Sequence, residues 1–312
     1  MTAPHKALLA AFIAHILWGA GTPIFKLSFA DIPPFTFAAI RFWFTAIILL
    51  GYIFFKGSGF TFTRRDFILN VLIGLSVSAH IGFYFWGLSL SNGLNTSIIV
   101  SMSPIITVCF AFLFHKEKIS TFMLAGIMIA FIGELIIIGQ PLFGVGVHDA
   151  SMLMGNIFVL VSVVMAVITA YFIKSIANSY PSTHINATIF SVGTIVFIPL
   201  AFVEYLQQPL WIQSLSYVSV GGIAYAVIGN SLLAYFLYTF AYKTLKMTQV
   251  ETTAYIMPVI GVLLSTVLLG EKITSYFIVG AIITAVGIFL AESRHPKHPL
   301  HHKHLLSKKR QI

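Results

Sequence analysis

Apolar stretches of roughly 20 residues, broken by short polar links, recur along this chain at about 7–27, 34–55, 68–90, 94–114, 121–141, 151–173, 183–204, 215–241, 248–269 and 273–291. An α-helix rises about 1.5 Å per residue, so about 20 apolar residues cross the hydrocarbon core of a bilayer. The pattern therefore predicts ten membrane-spanning helices. None of the stretches alternates polar and apolar positions over ten-residue segments, which argues against a transmembrane β-barrel. The first stretch is too long for a leader peptide and has no small-residue cleavage site followed by a polar chain, so it counts as a span.

The pattern also repeats. Pro104, Glu117-Lys118-Ile119, Gly126 and Gly133 return 154 residues later as Pro258, Glu271-Lys272-Ile273, Gly280 and Gly287. The same offset pairs Ser76 with Asn230, Tyr84 with Tyr238, and Ser97 with Glu251. Two units of about half the chain follow, 8–139 and 152–291, with a basic, His-rich tail at 292–312. Five spans per unit is an odd number, so the second unit enters the membrane inverted, the plan of many secondary transporters.

Composition agrees: 58% of residues are hydrophobic and only 9% charged, too little polar surface for a soluble chain of 312 residues. Placing both termini in the cytoplasm puts 15 of the 18 Lys and Arg on that side, as the positive-inside rule requires. The net charge of +9 then belongs to cytoplasmic links and tail facing anionic lipid, and does not point to nucleic acid. Localisation in a bacterial-type inner membrane is expected. The single cysteine, Cys109, permits no internal disulfide.

A proline, an apolar run to a Gly-Glu-Lys or Lys-Glu-Lys turn, and two spaced glycines, seen twice in register, resemble the EamA-type repeat of the drug/metabolite transporter superfamily. So do Leu17-Trp18-Gly19 with Pro23 and Lys26, and Arg41-Phe42 in the second span. The turn at Leu269-Gly270-Glu271-Lys272 fits that pattern better than Phe114-His115-Lys116-Glu117. The first span of the second unit departs from it, having Ala166 and Val167 in place of Trp-Gly. The resemblance implies alternating-access export or exchange of small metabolites such as amino acids or their derivatives.

Polar positions inside the spans nominate a site, since polar groups at membrane depth face protein or water. In the first span His15, Trp18 or Gly19, Thr22 and Lys26 fall on one face at helical spacing. Ser76, His80 and Tyr84 share a face in the third span and are matched by Asn230, Ala234 and Tyr238 in the eighth. Each stripe has two readings, cavity lining or a hydrogen-bonded helix seam, and Lys26 also fits a side chain snorkelling to the interface. Asn95 and Ser101, with Ser97 and Ser103, flank Pro104, while Glu251, Thr252 and Tyr255 flank Pro258. Both prolines are expected to bend their spans beside the cavity. Glu251 reads either as a coupling group or as an interfacial carboxylate. Trp18, Phe83, Tyr84, Trp86, Tyr238 and Tyr255 suggest a site for an apolar or aromatic body with a polar head.

Two lone charges remain. Arg41 and Glu134 each lie about seven residues from the outer end of their spans, and equal depth predicts an ion pair, either a gate or a fixed strut. Enzyme chemistry finds no support: there is no His-Glu-x-x-His, no Gly-x-Ser-x-Gly and no pair of intramembrane carboxylates. No cofactor or metal is expected, and the His-rich tail reads as a solvated segment. The expected partners are a small-molecule substrate, membrane lipid, and a proton or exchanged metabolite as driving species. A passive facilitator or channel is the alternative, although no charged ring repeats at matched depth.

Overall fold

A computed structural model describes residues 3–57, 59, 62–115, 121–143 and 150–293. The Glu117-Lys118-Ile119 turn, the 144–149 loop and the tail lie outside the described residues. The fold is all-helical: α1 (Ala3–Ser28), α2 (Pro34–Phe55), α3 (Arg64–Leu90), α4 (Gly93–Val100), α5 (Ser103–His115), α6 (Thr121–Ile138), α7 (Gln140–Phe143), α8 (Ala150–Ile176), α9 (Ser182–Gln207), α10 (Tyr217–Tyr225), α11 (Ala234–Thr244), α12 (Met247–Thr252), α13 (Ile256–Leu268) and α14 (Ser275–Ser293). Seven helical segments are long and apolar enough to cross a bilayer, with α10 and α11 joined as Tyr217–Thr244 and α12 and α13 as Gln249–Leu268. Three shorter apolar helices, Gly93–Thr107, Leu124–Ile138 and Ser275–Leu290, complete the ten expected spans.

The surface is inside out relative to a soluble protein. Phe54, Phe202, Val267 and Phe289 are exposed, whereas Thr22, Asn70, Asn156, Ser162 and Asn230 are buried. Lipid solvates the first group, and the second must find partners within the bundle.

The helix pairing obeys a pseudo-two-fold relation. The offset is 148 residues in the first two spans of each unit, where Pro33 and Pro181 sit at the N-caps of α2 and α9, and 154 residues beyond them. Contact of α3 with α8 is mirrored by α11 with α1, and contacts of α1 with α12 and α13 by those of α8 with α4 and α5. α2 packs on its own counterpart α9, and α6 on α14.

The α6–α14 crossing explains the repeat's glycines. A Cβ added at Gly133 would stand 2.6 Å from the Gly280 carbonyl, and one at Gly280 would stand 2.9 Å from the Gly133 carbonyl. At Gly287 it would come within 2.2 Å of the Ala130 nitrogen and 2.7 Å of the Gly126 carbonyl. The four glycines therefore let two backbones touch where a side chain would hold them apart.

The prolines act differently from a mid-helix kink. Helix breaks fall at Ser101–Met102 and at Thr253–Tyr255, a few residues before Pro104 and Pro258. Each proline then lies in the first turn of the next helix, α5 or α13. Its missing N–H costs nothing there, and the ring excludes α-helix only from the residues upstream.

Candidate functional site

Between the two units lies a cavity of about 110 Å³, many times the ~10–15 Å³ that a single buried water requires. Its walls are built from matched positions. His15 is paired by the repeat with Val163, Trp18 with Ala166, and Phe25 with Ile173; Ile81 is paired with Tyr235, Tyr84 with Tyr238, Val100 with Ala254, and Ser103 with Met257. All of these line the space. The cavity therefore straddles the pseudo-two-fold axis.

Glu251 forms one wall. It stands at the C-terminal end of α12, just before the helix break, and is 4% exposed, so it is not an interfacial carboxylate. Its Oε1 accepts hydrogen bonds from Tyr238 (2.8 Å) and Tyr242 (2.6 Å), and its Oε2 accepts one from Ser103 (3.2 Å). The Tyr242 hydroxyl also lies 3.0 Å from that of Tyr238. Tyr238 and Tyr242 are one helical turn apart on α11, which delivers both phenols to one oxygen.

Arg41 forms another wall and is 1% exposed. Its Nε donates to Ser231 Oγ at 2.6 Å, and its guanidinium carbon lies 5.6–5.8 Å from the ring centres of Phe25, Phe42 and Phe85. Its Nη2 has no hydrogen-bond partner among the described residues. Ser231 belongs to a π-helical segment, Ala226–Leu233, that joins α10 to α11. The matching stretch of α3 is uninterrupted α-helix. Such a π-helical insertion redirects side chains locally, and here it carries Ser231 and the cavity-lining Asn230.

Trp18 donates from Nε1 to the Asn230 carbonyl at 3.1 Å, and its ring meets Tyr235 and Tyr238 edge-on at 5.2 and 4.7 Å. The Asn230 side-chain amide donates to the Leu17 carbonyl (3.3 Å). His80 donates from Nδ1 to the Ser162 carbonyl (2.9 Å). The Thr253 hydroxyl donates to the Val250 carbonyl, so His15 Nδ1–H is the donor in its 2.7 Å bond to Thr253.

Of the residues nominated from sequence, the cavity brings together Trp18, Arg41, His80, Tyr84, Asn230, Tyr238 and Glu251. Thr22 stands behind Tyr84, their hydroxyls 2.6 Å apart, and Ser76 stands behind the lining residue Thr169 at 2.7 Å. Asn95 and Ser101 are buried in and just after α4, and Tyr255 lies in the break before α13; none of the three is part of the wall. Trp86 is elsewhere: it is 44% exposed and packs on Phe158 and Phe35.

The ion pair between Arg41 and Glu134 does not form. Glu134 is fully buried at the α6–α14 crossing beside Thr284, with neither carboxylate oxygen in hydrogen-bond geometry with a partner among the described residues, while α2 carries Arg41 against α9 and the π segment. Equal depth was a sound inference, but helix order in space separates the two charges.

Lys26 neither snorkels nor lines the cavity. Its Nζ donates to the carbonyls of Leu88 (2.8 Å), Ser89 (3.0 Å) and Ser91 (2.6 Å) and so closes the C-terminal end of α3. Lys174, 148 residues on, donates to Tyr242 (2.5 Å) and Leu245 (2.7 Å), the counterparts of Leu88 and Ser91, at the end of α11. Glu271, beside Lys26, accepts from the backbone N–H groups of Gly93 (2.7 Å) and Leu94 (2.8 Å) at the start of α4. Cations at helix C-termini and anions at N-termini complement the helix dipole. Sequence reasoning missed Lys174, Ser231, Tyr235 and Tyr242. The 148-residue spacing from Lys26 and the helical turn from Tyr238 were the signals for the first and the last.

The EamA-like transporter family matches residues 5–139 and again residues 153–292. Full-length relatives are distant. An uncharacterized transporter of Archaeoglobus fulgidus is 21% identical over 93% of this chain and 98% of its own length, and YoaV of Bacillus subtilis, also an uncharacterized transporter, is 22% identical over 91% and 96%. A probable amino-acid metabolite efflux pump of Salmonella typhimurium is 22% identical over 90% and 92%. One crystal structure, at 16% identity, superposes with a TM-score of 0.64 over 91% of this chain and 95% of that one, a likeness of fold. Two family matches that between them span nearly all ten helices establish what the repeat suggested: this chain belongs to the EamA-like transporter family.

Proposed function

We propose that this transporter exports or exchanges small metabolites, amino acids or their derivatives among them, by alternating access around the central cavity. The observation that carries the reading is a cavity on the repeat axis with Arg41 and Glu251 in its walls and the aromatic rings of Trp18, Tyr84, Tyr235 and Tyr238 around it. Buried charge in a membrane bundle is costly, and its usual role is in substrate or ion pathways. Rings give an apolar body a large contact area with little rotamer entropy to lose.

The helix breaks before Pro104 and Pro258 border the cavity at Val100, Ser103, Ala254 and Met257. They are the places where one unit can rock against the other. Glu251, bonded only to hydroxyls, is the group suited to exchanging a proton during the cycle. Both termini are assigned to the cytoplasm and the protein to the inner membrane from the distribution of basic residues. The amino-acid reading gains support from the Salmonella relative, a probable amino-acid metabolite efflux pump.

Counterflow in proteoliposomes, with a mixed pool of labelled amino acids outside and the unlabelled pool inside, tests it. Accumulation of label that needs internal substrate is expected. Label that equilibrates at the same rate without internal substrate would favour a passive facilitator.

A further inference from the structure

The two charges in the cavity wall are not in the same condition. Both oxygens of Glu251 are already occupied, by two phenols and a serine hydroxyl. The protein hydrogen-bonds both of these oxygens before any ligand arrives. Arg41 is held by one bond from Nε to Ser231 and ringed by Phe25, Phe42 and Phe85, and its Nη2 is buried without an acceptor. Among the described residues no carboxylate is bonded to it, since Glu134 is at another crossing and Glu251 is bonded to hydroxyls.

A guanidinium is always charged and presents its N–H groups as a planar fork suited to a carboxylate. Leaving one arm buried and unbonded is expensive, and a ligand oxygen there removes that cost. The Nε–Ser231 bond and the ring contacts fix the fork's plane, so the subsite is formed in advance. Rings of Trp18, Tyr235 and Tyr238 supply an apolar wall to the same space.

On the transport reading above, we infer that Arg41 is the subsite for the substrate's anionic head, and that the substrate class is a carboxylate carrying an apolar or aromatic body, with any amino group dispensable for binding. An unbonded Nη2 on the cation, set against a carboxylate with both oxygens hydrogen-bonded, makes the site a reader of negative charge. A zwitterion and its deaminated acid satisfy it alike, whereas an amine offers nothing to Arg41.

Binding to the purified full-length protein in detergent, read by thermal shift and by quenching of tryptophan fluorescence, tests this with three probes of one body: L-phenylalanine, 3-phenylpropanoate and phenethylamine. The two acids should bind with affinities within about tenfold of each other, and the amine about tenfold or more weaker. Arg41→Gln should abolish the difference by weakening both acids, and Arg41→Lys should restore part of it. Equal binding of phenethylamine and 3-phenylpropanoate, unchanged acid affinity in Arg41→Gln, or no binding of either acid would overturn the inference. If Arg41→Gln fails to fold, the wild-type ranking of the three probes still decides. Failure here leaves the transport reading to the counterflow result with the mixed pool, which does not depend on which head group is read.

Discussion

The two halves of this protein share a frame and divide the chemistry. Matched glycines meet at the α6–α14 crossing, matched prolines follow matched helix breaks, and Lys26 and Lys174 close matched helix ends. Several matched positions also face the cavity, and what they carry differs: the counterpart of Trp18 is Ala166. Arg41, His80 and Glu251 line it, whereas their counterparts Ile189, Ala234 and Ser97 do not. The repeat preserves what packing requires, because backbone approach at a crossing tolerates no added atom. A cavity wall tolerates almost any side chain, so its residues in the two halves are free to differ.

The largest expected effect lies in the shared frame. Gly287→Leu forces a side chain into the α6 backbone and should cost about 3 kcal/mol or more, read as loss of monodisperse protein after extraction. Gly51→Leu, with nothing within 4 Å of the added carbon, should leave yield unchanged. A tolerated Gly287→Leu would mean that the crossing is not held as described.

Glu134 sharpens the comparison from the other side. The second unit has Ile288 at its position, and neither Glu134 oxygen is bonded. Glu134→Ile should therefore raise stability by about 1–3 kcal/mol, the cost of an unsatisfied buried polar group, with transport retained. A fall in melting temperature would mean that the neighbouring Thr284 hydroxyl of α14 satisfies Glu134 after all.

Next come the two lysines. Lys26→Met and Lys174→Met should each cost about 1–2 kcal/mol, Lys26 the more because it closes three carbonyls rather than two. Opposite signs for the two would break the symmetry of the frame.

The smallest effect concerns Asp31, in the link between α1 and α2. Hydrogen bonds from the Ser216 hydroxyl, the Ser219 hydroxyl and the Ser216 N–H, at the start of α10, hold its carboxyl below the usual carboxylate range. The folded state thus binds its proton less readily than the unfolded chain. Stability from this group is present above the ordinary carboxylate value and is lost as pH falls through the lower folded value. Asp31→Asn should flatten the acid limb of the melting profile slightly; an unchanged limb would remove Asp31 from the account.

Sequence carried the frame almost completely, because glycine and proline at a constant offset are direct statements about backbone. It carried the cavity in part: helical stripes brought Trp18, His80, Tyr84, Asn230 and Tyr238 to the right faces. It misplaced Trp86 and paired Arg41 with Glu134, since depth along a helix is legible in a sequence and the order of helices around an axis is not. The π segment was illegible for a similar reason. Ala226–Leu233 reads as an ordinary apolar helix, and only tertiary packing decides that its turn widens.

The division of chemistry between the halves is tested most directly by moving it. Glu251→Gln combined with Ser97→Glu transfers the carboxylate to its matched position, where the counterparts of its donors Tyr238, Tyr242 and Ser103 are Tyr84, Leu88 and Met257. Of these counterparts only Tyr84 carries a hydroxyl, and Ser97 itself packs against Gly261 outside the cavity wall. In counterflow with the mixed amino-acid pool, Glu251→Gln should lose tenfold or more of the wild-type rate, since bonds to a charged group are worth about 1.5–3 kcal/mol, and the double variant should recover none of it. Recovery to near the wild-type rate, or a Glu251→Gln protein that transports as well as wild type, would contradict the account.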